Sequence, residues 1–214
     1  MKKILLPILV LFACVTVIGV ATYGFSSFTI FSYTLKSAGE VPREFPDFEW
    51  IDQDSTVFHT KDKHKYLLVN FVYLNCPDVC HKVNNRLEHI YHSIDSAVIP
   101  EKLELITISF DTQRDGLDKI RKYRKLFSRD NIDGWSFAIP YHASAQQFHA
   151  FLQETGVWVY QMPETGLINH SVYLFLISPD NKIVRVFDPA REDDSQIIKQ
   201  MEQCISSTGI SSFS

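Results

Sequence analysis

Tyr66-Leu-Leu-Val-Asn-Phe-Val-Tyr-Leu-Asn-Cys76-Pro-Asp-Val-Cys80 is the stretch that decides how the chain folds. Its first nine residues are apolar but for one and rich in Val, Phe and Tyr, which predicts a buried strand. Pro77 suits the first position of a helix, where its missing N–H costs nothing. The two cysteines therefore stand on a strand-to-helix turn. Residues four apart on a helix share a face, with Cβ atoms about 5–6 Å apart, so both sulfurs can address one object. Unpaired N–H groups at a helix start favour a thiolate, the form that ligates metal or attacks disulfides, whereas Asp78 opposes a second negative charge. Three residues between the cysteines instead of two point away from a thioredoxin-type redox pair and towards a chelate. A small disulfide stays open as the alternative, although a regular helix holds the Cβ atoms wider than the roughly 3.5–4.5 Å a disulfide prefers.

Downstream, Val79, Val83, Leu87, Ile90 and Ile94 recur at helical spacing to about Ser96, and Leu103 to Phe110 reads as a second strand. Asp111-Thr-Gln-Arg-Asp115 ends that strand and caps a helix whose inner side carries Leu117, Ile120 and Leu126. Its outer side carries Lys119, Arg121, Lys122, Arg124 and Lys125, a solvated face in the plain reading and a docking face for an acidic partner in the functional one. Trp135 to Ile139 predicts a short strand and Ser144 to Thr155 a helix. Glu154 to Asn169 reads as a loop with a brief extended piece at Val157 to Tyr160; its length points to function more than to scaffolding. Ser171 to Ser178 and Ile183 to Phe187 flank a turn and predict an antiparallel hairpin, followed by a last helix from Asp194 to Ile205. Upstream, Glu44 to Asp54 alternates apolar and polar residues, and a turn at Asp52 to Ser55 leads to Thr56 to Phe58, which predicts a small hairpin over one end of the fold; the basic, His-bearing loop Lys61 to Lys65 feeds the first strand. This order predicts an α/β, thioredoxin-like fold, a central mixed sheet flanked by helices.

The 214 residues allow one ordinary domain plus a terminal segment, and a formal net charge of −4 gives no case for nucleic acid. Lys2 and Lys3 precede an uncharged run from Ile4 to Phe25, long enough as a helix to span roughly 30 Å of hydrocarbon. The expected organisation is a transmembrane anchor or signal segment over 1–25, a polar linker over 26–41, the α/β domain over 42–208 and a tail over 209–214. By the positive-inside tendency the lysines stay cytoplasmic and the domain lies outside the cytoplasm. Cleavage of a signal peptide after Gly19-Val-Ala21 is the rival reading. Cys14 falls in the apolar segment, and Cys204 is in step with Ile197, Ile198 and Met201 as a core residue. Cys76 and Cys80 are left as the pair for chemistry, in a compartment where thiols oxidise unless a metal or reductant protects them.

Three motifs in this order and spacing resemble one family, the Sco/SenC proteins: Cys76-Pro-Asp-Val-Cys80 after a buried strand, Ser109-Phe-Asp-Thr-Gln-Arg-Asp115 at the next strand end, and Asn169-His170 ahead of Ser171 to Lys182. The likeness runs from about Phe45 to Ile205. It implies a membrane-anchored, thioredoxin-fold copper chaperone for cytochrome c oxidase, with Cys76, Cys80 and His170 as the copper ligands. Copper would be held as Cu(I), with Cu(II) a second form. The implied partners are the copper-receiving oxidase subunit, a copper donor chaperone, a thiol reductant and the membrane. The implied location is the periplasmic side of a bacterial inner membrane. Two departures stand out: the residues before Cys76 lack the glycine and threonine often seen there, and His81 replaces a more usual proline.

The chemistry of the residues agrees. Thiolates are soft donors that select Cu(I), and an imidazole completes a trigonal site. His170 alone reads as a polar residue at a strand start, so its role as ligand is implied by the resemblance. His81, next to the pair, is a secondary ligand candidate, while His89 and His92 read as surface residues. Asp111 and Asp115 read as helix caps that the resemblance sets near the site. A function of another class, a thiol-disulfide oxidoreductase reducing the target's cysteines, requires an exposed, low-pKa Cys76 and no histidine. Metal delivery needs no enzymatic step; that alternative does.

Overall fold

The computed structural model describes residues 2–24, 27–76, 79–127 and 132–208, the side chains of 2–5 and 207–208 excepted. Phe25, Ser26, Pro77, Asp78 and the tail over 209–214 lie outside these. The chain begins with α1 (Lys2–Ala21), on which Leu6, Leu9, Leu11 and Phe12 are exposed. Among the described residues no helix is long and apolar enough to cross a membrane, so the transmembrane anchor expected over 1–25 finds no support in the structure.

The stretch expected as a linker contains a second helix, α2 (Ile30–Ser37). Thr29 and Ser32 exchange side-chain and backbone hydrogen bonds in a capping box, which satisfies two of the amides that open a helix. Phe31 rests on Trp158, with ring centroids 5.2 Å apart.

The remaining elements follow in chain order as β1 (Arg43–Glu44), β2 (Glu49–Asp52), β3 (Val57–His59), a 3-10 turn (Thr60–Lys63), β4 (Tyr66–Val72), α3 (Val79–Ser93), β5 (Leu103–Ser109), α4 (Leu117–Phe127), β6 (Trp135–Pro140), α5 (Ala145–Thr155), β7 (Val159–Gln161), β8 (Ile168–His170), β9 (Leu174–Ile177), β10 (Lys182–Phe187) and α6 (Asp194–Thr208). The main sheet has the order β1-β10-β9-β4-β5-β6-β2-β3. β4, β5 and β6 are parallel, and β9 joins β4 antiparallel with Asn70 opposite Leu174. The expected mixed sheet flanked by helices is present. The hairpin expected to cover one end instead extends the sheet, because β2 pairs with β6. β7 and β8 form a separate two-stranded ribbon inside the stretch expected as a loop.

Alternation along the strands divides the core into two layers. Leu67, Val69 and Phe71 of β4 point to one side, with Ile106, Ile108, Phe148, Phe151 and Leu152. Phe151 meets the rings of Phe45, Phe48, Trp50, Phe71 and Phe148 there. Tyr66 and Leu68 point to the other side, with Leu87, Ile90, Ile120, Phe127, Ile197 and Met201 from α3, α4 and α6. Tyr66 also donates to the Cys204 carbonyl, and the Cys204 side chain, expected in the core, is only half-buried beside it.

A buried polar chain crosses this second layer. Trp135 Nε1 donates to Thr107 Oγ1 at 3.0 Å, and Thr107 donates to Asn70 Oδ1 at 2.8 Å. Asn70 donates to Asn84 Oδ1 at 2.9 Å, and Asn84 donates to the Tyr123 hydroxyl at 3.1 Å. Each buried polar group thus finds a partner, which removes most of its desolvation cost.

Candidate metal centre

β4, β5 and β6 all point their C-terminal ends to one edge, where open α/β sheets bind ligands. After β4 the chain passes through Tyr73 to Cys76 and enters α3. Cys76 and Cys80 are buried, at 8% and 1% exposure. The backbone N–H of Cys80 donates to Cys76 Sγ at 3.3 Å, so the start of α3 supplies the positive end of a dipole to that sulfur.

His170 arrives from the opposite direction, at the end of β8, and is 7% exposed. Its Nδ1 lies 2.9 Å from the Ser171 carbonyl. A carbonyl only accepts, so Nδ1 carries a proton, and in the neutral ring Nε2 keeps its lone pair. That nitrogen is 3.6 Å from Cys80 Sγ. An imidazole fixed by a carbonyl on its far nitrogen is how histidines are aimed at metal ions. Tyr73 and Phe110 flank the ring edge-on, at 5.9 and 4.8 Å between centroids, and wall it from water.

The hydrogen bond with Cys76 and then burial push the Cys80 thiol far above its ordinary value, so it stays protonated until something displaces the proton. Burial and Cys76 likewise raise the Tyr73 phenol. Among the described residues, no three His, Cys, Asp or Glu side chains are gathered tightly enough to hold a metal ion as they stand. What the fold brings together are two soft sulfurs and one bare imidazole nitrogen, a donor set suited to a soft monovalent metal. A cavity of about 800 Å³ opens beside His170, between α2, the start of α3 and the β10–α6 connection.

Other residues singled out by sequence fall elsewhere. His81 turns to α4, its ring 5.4 Å from Tyr123 and 5.8 Å from Phe127. His89 and His92 are exposed on α3. The cationic face of α4 is partly occupied with its own fold. Arg121 donates to the Gln53 carbonyl and to Ser55, and Arg124 to the Ile132 carbonyl. Asp111 and Asp115 are buried and do not cap α4. Asp115 Oδ2 accepts from the Leu74 N–H at 2.9 Å and from Ser109 Oγ at 2.7 Å, while Asp111 holds Arg114 at 2.5 Å. Their setting depends on chain crossings that no local pattern shows.

Comparison with known proteins fits this geometry. The family profile described as SCO1/SenC matches residues 37–206. "Protein SCO1 homolog, mitochondrial" of Homo sapiens is 27% identical over 131 residues, 58% of this chain and 40% of the relative, so the chain spans less than half of that protein's length. The crystal structure of Arabidopsis thaliana ScoI with copper bound overlays with a TM-score of 0.62 at 19% identity, covering 75% of this chain and 99% of that one. BsSco, described as a member of the Sco family of cytochrome c oxidase assembly proteins, overlays with a TM-score of 0.64 at 18% identity, covering 78% and 96%.

Proposed function

Because the chain belongs to the SCO1/SenC family, we propose that it is a copper metallochaperone that carries Cu(I) on Cys76, Cys80 and His170 and passes it to the binuclear copper site of a respiratory cytochrome c oxidase. The observation that carries this reading is the approach of His170 Nε2 to Cys80 Sγ at 3.6 Å with the opposite ring nitrogen already committed. An imidazole so aimed supplies a third donor to an ion that both sulfurs can address. A protein that only exchanged disulfides needs an exposed, readily ionised thiol, whereas Cys76 is buried and the Cys80 thiol is held protonated. Copper transport is therefore favoured over thiol reduction.

The chain's own groups account for loading and release. Copper displaces the Cys80 proton, so binding tightens as pH rises. The amide dipole at Cys76 and the carbonyl at His170 keep both donors aimed while the aromatic pair excludes water. The cavity beside His170 leaves one side approachable by a donor chaperone or an accepting oxidase subunit. An extracytoplasmic setting belongs to the same reading, because a buried cysteine pair that holds copper is protected where thiols otherwise oxidise.

Anaerobic competition for Cu(I) against a calibrated chelator tests the assignment in the reduced protein. Tight one-to-one binding that drops to a weaker, two-sulfur affinity in His170→Ala and is lost in Cys80→Ser is the expected result. Equal affinity in the parent and His170→Ala would remove the histidine from the site, and weak binding in every form would return the function to disulfide reduction.

A further inference from the structure

The cysteines and the histidine reach the site from separate substructures, the main sheet and the β7–β8 ribbon, and one short segment touches both. That segment is the turn Ser109 to Asp115 after β5. On the cysteine side, Asp115 Oδ2 accepts from the Leu74 N–H at 2.9 Å, two residues before Cys76, and from Ser109 Oγ at 2.7 Å. Lys119 stands 3.8 Å from its other oxygen. On the histidine side, Arg114 Nη1 donates to the Gly166 carbonyl at 3.0 Å, in the turn that leads into β8 four residues before His170. Arg114 Nε is anchored in the same stroke to the buried Asp111 carboxylate at 2.5 Å. The ribbon turn is itself closed by Gly166 N–H on the Met162 carbonyl and Met162 N–H on the Leu167 carbonyl, each 2.8 Å, so a pull on Gly166 moves it as a unit.

The geometry points to Arg114 and Asp115 as paired positioning residues that set the gap between the cysteine turn and His170, Arg114 by holding the ribbon and Asp115 by holding the Leu74 amide. A guanidinium fits the first task because its planar fork addresses a carboxylate and a carbonyl at once, which an ammonium on a flexible stem does not. A buried carboxylate fits the second because charge-assisted hydrogen bonds to an amide and a hydroxyl are short and stiff. The inference rests on His170 being a copper ligand. It goes further in assigning the acidic strand-end turn to site geometry instead of to partner docking.

A double-mutant cycle separates this from general destabilisation. Cu(I) affinity is measured by chelator competition on the reduced full-length parent, Arg114→Ala, His170→Ala and the double variant, with Arg114→Lys alongside. Arg114→Ala should weaken binding about tenfold in the parent and less than about twofold once His170 is gone. Arg114→Lys should remain weak, since charge without the fork bridges only one partner. Hydrogen exchange of the metal-free protein gives a readout independent of copper. Arg114→Ala should speed exchange over residues 162–170 and leave 72–76 unchanged, and Asp115→Asn should do the reverse. An Arg114→Ala loss that is the same with or without His170, full rescue by lysine, or unchanged exchange over 162–170 would each overturn the assignment while leaving His170 as ligand. No loss in His170→Ala itself would overturn both.

Discussion

Ionising Cys80 should be costly in the folded protein and easy in the unfolded one, and the difference can be measured. In an unfolded chain a cysteine titrates at about 8.5. In the fold, the Cys76 hydrogen bond and burial raise the Cys80 thiol well beyond that. A raised folded value means that the contribution to stability is complete below about pH 8.5 and is lost as pH rises above it. Each pH unit past that point costs about 1.4 kcal/mol, so one unit above it, near pH 9.5, the metal-free protein should have lost about 1.4 kcal/mol on account of this one thiol. Cys80→Ser cannot ionise in either state and should lack this loss, while sharing the background titration of the other cysteines, tyrosines and lysines. The assay is urea unfolding of both proteins, reduced and anaerobic, at pH 7.5 and 9.5. The difference between their two pH-induced changes isolates the thiol. If the parent and Cys80→Ser lose stability equally, Cys80 is not held protonated, and the argument that copper must displace its proton fails with it.

Three further outcomes follow from the fold. Burial would raise the Glu104 carboxyl, but Lys63 and Lys65, each 2.9 Å away, outweigh it and hold the group below its usual range. A lowered value stabilises above about pH 4.3 and fades as pH falls, so Glu104→Gln should cost about 1–2 kcal/mol at pH 7 and approach parity with the parent near pH 3 in thermal unfolding. Gly134 has φ +77, and a Cβ there would lie 2.7 Å from Ile99 Cγ2 and 2.8 Å from Pro100 Cβ, so Gly134→Ala should cost about 1–3 kcal/mol by urea unfolding. Phe151→Ala removes a ring shared by five aromatic neighbours and should cost about 3–5 kcal/mol in the same assay, with Cu(I) affinity at full folding unchanged.

The middle of the sheet was legible because β4 and β5 are buried along nearly their whole length and so read as mostly apolar runs despite Asn70, Glu104, Thr107 and Ser109; they stand where Tyr66 to Leu74 and Leu103 to Phe110 predict them. α3 and α5 were legible from their spacing, and α5 also from Ser144, whose hydroxyl accepts the Gln147 N–H. The rest depends on partners distant in sequence. α2 is two turns long and its capping residues, Thr29 and Ser32, look like any polar linker. Ser171 to Tyr173 has strand-like composition but is not strand: Ser171 trades hydrogen bonds with Trp158 through both its N–H and its hydroxyl, tying off the ribbon before β9 begins. His170 could be singled out only by family likeness, since nothing local shows that β8 carries it back over the cysteine turn. Arg114 looked like a turn residue, and its grip on Gly166 spans 52 positions of chain.

The polar chain from Trp135 to Tyr123 bears on how the sheet is assembled. β4 and β5 bury apolar side chains on both faces of the sheet, so a slip that swaps the faces turns few polar groups inward and hydrophobicity alone discriminates weakly between alignments of these two strands. If β4 slid by one residue, Val69 or Phe71 would stand where Asn70 now does, and Thr107 and Asn84 would each lose a partner away from water, at about 1–3 kcal/mol apiece. Asn70 therefore acts as a checksum on the pairing: only the alignment that closes every link in the chain, and so brings the cysteine turn level with the end of β5, escapes the penalty.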